Sequence, residues 1–126
     1  MIARETMRMK PCEQMPSDLL ALLERALCLL DGPFLLEYSA ADHTWLEAAR
    51  AYLRASLALL RREPYRIDAL TSAAELTAKA GICLASLPAT HRDASMYEAS
   101  RVVAEAHAGL AERRTRHLIA DAALAQ

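Results

Sequence analysis

Ser100, His107 and Arg114 are the residues of this sequence best suited to chemistry by type and spacing. Intervals of seven put all three on one face of a helix, and that face is otherwise apolar. Buried polar groups need partners, and Tyr52 and Ser56 share the inward face of an earlier segment. The five residues form a candidate polar core patch that could hold an anionic or polar ligand. They do not form a nucleophile and its base, because two helical turns, about 10 Å, separate Ser100 from His107. The competing structural reading, which the pattern favours, is a histidine hydrogen-bonded in the core and an arginine whose stem reaches out to water.

A second group is electrostatic. Arg61, Arg62, Arg66, Arg113, Arg116 and His117 converge on one pole if the helices alternate in direction. Such a pole could recognise phosphate or an acidic partner. It could equally complement the negative ends of helix dipoles in water. No aromatic stacking platform accompanies these arginines, and the segments are too long for a compact helix-turn-helix, so nucleic-acid binding is the weaker alternative.

Metal and cofactor chemistry find no motif. The four histidines, His43, His91, His107 and His117, occur in no HExxH, Glu-x-x-His or Cys/His zinc spacing. Cys12, Cys28 and Cys83 are odd in number and lack a CxxC spacing, which suits a reducing, cytoplasmic setting. No cofactor or metal is expected, and no catalytic residue stands out.

Helix breakers position these residues. Pro16, Gly32-Pro33, Pro64 and Pro88 divide the chain into four segments of good helix formers, each with apolar residues three and four apart. The spacing predicts an all-α fold, an antiparallel up-down four-helix bundle with helices near 17–31, 40–62, 64–86 and 91–118. Residues 1–16 read as a flexible arm and 17–126 as one domain. Whether the last ten residues continue the fourth helix is open from sequence. Expected caps are Ser17, the Ser39/Asp42 pair and Thr90 with Asp93. Trp45, Ala49, Tyr52, Leu53, Ser56, Leu59 and Leu60 form the inner face expected of the second helix. Met96, Val103, Leu110 and Leu118 form that of the fourth.

The first helix is unusual. Leu19, Leu20, Leu22, Leu23, Leu27, Leu29 and Leu30 cover about half its circumference, where a helix on one layer needs a stripe of roughly 100°. The third helix has small residues along the middle of its face. This surplus apolar surface makes the leucines a candidate interface.

Of the 126 residues, 54% are hydrophobic and 25% charged, with a formal net charge of -1, which gives no global attraction to nucleic acid or anionic membrane. No apolar run is long enough for a membrane span or the core of a signal peptide. Arginine over lysine and abundant alanine resemble the usage of a GC-rich bacterial genome. The resulting expectation is a small, non-enzymatic interaction module, a homodimer or the partner of another helical protein. An anion- or small-molecule-binding bundle is the alternative.

Overall fold

The computed structural model describes residues 16–32, 38–63, 66–88 and 94–125. The described residues form four helices and no strand: α1 (Pro16–Leu30), α2 (Ala40–Arg62), α3 (Ile67–Ala85) and α4 (Ala94–Ala125). Each helix packs on the next and α1 closes the ring against α4, while neither diagonal pair is closely packed. Cross-helix pairs fix the directions. Arg25 reaches Glu98 at 2.7 Å and Arg61 reaches Glu24 at 3.1 Å, with the α1 carbonyl of Leu30 bonded by Arg50 at 3.0 Å. Gly109 faces Leu19; Tyr52 lies by Lys79 and Ser56 meets Thr77; Gly81 lies by Val103, and Thr71 and Ala74 lie by Arg114. Along every seam one number rises as the other falls, so all neighbours are antiparallel, as in the predicted bundle.

The ends follow from local chemistry. Ser39 accepts a hydrogen bond from the Asp42 amide at 3.1 Å, and the Asp42 carboxylate accepts one from the Ser39 amide at 3.3 Å. This reciprocal box starts α2 where the sequence places it. α1 starts at Pro16, one residue before the expected cap position at Ser17. It stops at Gly32, whose φ of 80° is the left-handed conformation that ends a helix. α3 begins at Ile67, three residues later than expected, with Arg66 at the cap. Residues 1–15, Pro64, Thr90 and Asp93 fall outside the described residues.

The core is a leucine and alanine lattice. Leu23, Ala26 and Leu30 of α1 have no exposed surface, and Leu20, Leu22, Leu27 and Leu29 pack half-buried beside them. The broad apolar surface of α1 is thus largely taken up inside the chain, by α2 on one side and α4 on the other. Leu19, Leu23 and Leu30 are buried, which removes them from the candidate interface. In α2 the buried stripe is Leu46, Ala49, Leu53, Ser56, Leu57 and Leu60. Trp45, expected inside, is 41% exposed, because the stripe centres on Leu53 and turns residue 45 outward.

Arg50, assigned by periodicity to the wet side of α2, keeps only 13% of its side chain exposed. Its guanidinium bonds the terminal α1 carbonyl of Leu30 and pairs with Glu47 and Asp31. A free carbonyl at the end of α1 is thereby satisfied by a cation suited to the negative end of the helix. On the opposite seam, the hydrogen bond from Arg101 holds the Glu98 carboxyl below the usual range, with the charges of Arg101 and Arg25 adding to it.

Three glycines mark different constraints. A Cβ at Gly109 would lie 2.5 Å from Leu19 Cδ2, so α1 and α4 approach closely there. A Cβ at Gly81 would meet Val103 at an ordinary 3.7 Å. Gly81→Ala should therefore stabilise the bundle by about 0.5–1 kcal/mol, the helix-propensity difference. Gly32→Ala should destabilise it by about 1 kcal/mol or more, because alanine resists positive φ. Urea denaturation of both variants measures the pair of opposite signs.

Candidate functional site: the α3–α4 groove and the projecting end of α4

Small side chains line the outer seam of α3 and α4. Ala74, Ala78, Gly81 and Ala85 recur on α3; Ser100, Ala104 and Ala111 recur on α4, with the larger His107 at the same spacing. Intervals of four and three keep each set on one edge of its helix. Because these side chains are short, the helices leave a groove open to solvent between them. Its upper part is a cavity of about 400 Å³ flanked by Ile82, Ser100 and Val103, with Thr77 in its lining. Its lower part, about 280 Å³, adds Thr71, Glu75 and Arg114. Ala78 and His107 border both parts.

Ser100, His107 and Arg114 therefore share one face, each half-buried, but that face is a groove wall and not the core. Tyr52 and Ser56 lie on the other side of α3, at its seam with α2. The five residues of the expected polar patch do not meet, since α2 and α4 are not packed neighbours. Ser56 finds its partners locally. Its hydroxyl lies 3.0 Å from Thr77 Oγ1, which donates to the Ala73 carbonyl at 2.7 Å. The Ala73 carbonyl also lies 3.2 Å from Ser56 Oγ, so the two hydroxyls are satisfied by one another and by that carbonyl, with no demand for α4. Tyr52 carries Lys79 Nζ 5.9 Å from its ring centroid, a cation–π contact at the rim of the same seam.

Arg114 is the least compensated cation of the groove. Its Nε is buried without a hydrogen-bond partner, and no ion pair to Arg114 exists among the described residues. A guanidinium in this state is suited to a carboxylate or phosphate brought from outside. Glu75 borders the same cavity, but the two are not paired. Elsewhere the expected basic pole is largely neutralised. Arg61 pairs with Glu24, Arg66 with Glu63 and Asp68, and Arg116 with Glu112. Arg62 is exposed; Arg113 and His117 are half-buried, and both are engaged. Among the described residues, acidic side chains are thus interleaved with the arginines of this pole.

The fourth helix runs to Ala125, seven residues past its expected end. Arg114 lies opposite Thr71 and Ala74, one turn into α3, so the next turn of α4 passes the start of α3. Residues 118–124 are all exposed. Leu118, expected on the inner face, is 50% exposed, Ile119 64% and Leu124 85%. The periodicity was continuous there, but the helices that would cover it have ended. The signal available in sequence was length: the fourth segment is much longer than the two it packs against.

Cys28 is exposed and Cys83 buried, both as free thiols, with burial pushing the Cys83 thiol up. Among the described residues no group of three or more His, Cys, Asp or Glu is placed to hold a metal ion. No described helix is long and apolar enough to cross a membrane. The fold and groove define an all-α four-helix bundle with one overlong helix. No protein-family model, curated protein or solved structure matches the chain.

The Ser56–Thr77 contact can be tested directly. Ser56→Ala and Thr77→Val should each cost about 1 kcal/mol, and the double variant less than their sum, because one relay is lost in either case. Thermodynamic cycles from denaturant unfolding read the coupling.

Proposed function

We propose that this chain is a helical interaction module that self-associates, with no catalytic role. One observation carries the reading. The last turns of α4 present Leu118, Ile119 and Leu124 to solvent on a helix that projects beyond its own bundle. Leu118, Ile119 and Leu124 are spread around the projecting helix, and each loses free energy in water that burial against a partner would recover. A homodimer is the commonest closed solution for such a surface. The self-association expected from the leucines of α1 is thereby moved to α4, since α1 is occupied within the bundle.

A cytoplasmic setting belongs to this reading and is supported by the free thiols of Cys28 and Cys83. Nucleic-acid binding loses support from the carboxylates interleaved with the basic pole. An anion-binding groove keeps one argument, the unpaired Arg114 beside His107, and the same argument serves an acidic protein partner.

Light scattering across a concentration series tests the proposal. The mass should rise from one chain toward two as concentration increases. Replacing Leu118, Ile119 and Leu124 together by Gln should hold it at one chain, with helicity retained. A wild-type mass that stays at one chain into the millimolar range overturns the reading.

A further inference from the structure

We infer that the partner of the projecting helix is the α4 of a second copy, docked antiparallel, with Asp121 of each copy paired to Arg114 of the other. The inference rests on the self-association proposed above and specifies its surface. The groove edge of α4 does not stop where the bundle ends. His107, Ala111, Arg114, Leu118 and Asp121 recur at intervals of four and three, the spacing of a continuous helix-packing seam. The first three border the α3–α4 groove, and the last two lie on the exposed extension.

Charge selects the occupant. Arg114 has no ion pair among the described residues and keeps a buried, unpartnered Nε. Asp121, also without an ion pair among them, is the only acidic residue in the exposed run 118–124. The two stand seven residues apart, so within one helix they are separated by about 10 Å and cannot pair. That same separation puts them on one flank of the helix. Two antiparallel helices that face each other bring equivalent flanks together. A two-fold axis between residues 117 and 118 then sets Asp121 opposite Arg114 twice, once on each side of the axis. In this register Leu118 packs near the axis against its own copy. Leu124 comes level with Ala111, where the short side chains of the groove leave room.

The overlap spans residues 111–124 of both chains, about 20 Å of helix. So short an overlap lies at the low end of interface size, which gives a weak, concentration-dependent dimer. A reciprocal ion pair then sets orientation and excludes parallel docking.

A charge exchange tests the inference on the full chain, by sedimentation equilibrium of wild type, Arg114→Asp and Asp121→Arg. Each variant alone places like charges opposite one another and should weaken dimerisation at least about tenfold. An equimolar mixture of the two restores both pairs in the heterodimer and should return the affinity to within about threefold of wild type. Asp121 is exposed, so Asp121→Arg tests the pairing without disturbing the bundle; circular dichroism checks the fold of both variants. Variants that dimerise as wild type does, or a mixture as monomeric as its components, overturn the antiparallel pairing while leaving self-association intact. A monomeric wild type at every concentration overturns both, leaving the extension to a different partner.

Discussion

Leu23, Ala26 and Leu30 lose all contact with water because α1 lies in the trough between α2 and α4, and the bundle depends on that placement. Without α1, the ring α2–α3–α4 is an open sheet of helices whose inner faces have no cover on one side. A helix so placed must be apolar on two flanks, which is why Leu20, Leu22, Leu27 and Leu29 accompany the central stripe. It must also come close to one neighbour. Gly109 supplies that approach by leaving the space that Leu19 fills. At its other end Arg50 holds the Leu30 carbonyl, so the shortest helix is fixed to its neighbours at both ends.

The polar groups of the interior are handled by the same economy of distance. Ser56 and Thr77 are fully buried, yet their hydroxyls are satisfied by one another and by the Ala73 carbonyl. Asp42 is buried at the start of α2, where its carboxylate accepts from the Ser39 amide at the positive end of the helix and its own amide donates to Ser39 Oγ. No long-range network is needed. The groove is the exception: Arg114 keeps a buried nitrogen without a partner and stands where the bundle meets the exposed part of α4. Incomplete local satisfaction at this junction sets the candidate site apart from the scaffold.

Much of the architecture was legible in the residues. The break at Gly32, the box at Ser39 and Asp42, and the end of α2 at Arg62 all concern contacts within a few residues, and local contacts are what spacing encodes. The rotation of a helix in its socket is a tertiary property. Trp45 turned outward and Leu46 inward because α2 has two neighbours, and sequence periodicity does not say where those neighbours stand. For the same reason Ser100, His107 and Arg114 were correctly grouped on one face but assigned to the interior. Their face looks along the seam with α3, while Tyr52 and Ser56 lie beyond it. Leu118 shows a further limit: an apolar position predicts burial only while another helix runs alongside.

The unequal length of α4 also shapes how firmly its parts hold together. Between Ala94 and Arg114 each turn is clamped by packing on α1 and α3. Beyond that, the helix continues from a trunk already nucleated, so each added residue faces only propagation, with an equilibrium near unity in water. Hydrogen exchange would then rise along one unbroken helix, slow in the trunk and approaching that of a free peptide at the tip. The molecule thus has a gradient of order written along a single element, from a fixed root to an end that closes and opens on its own account.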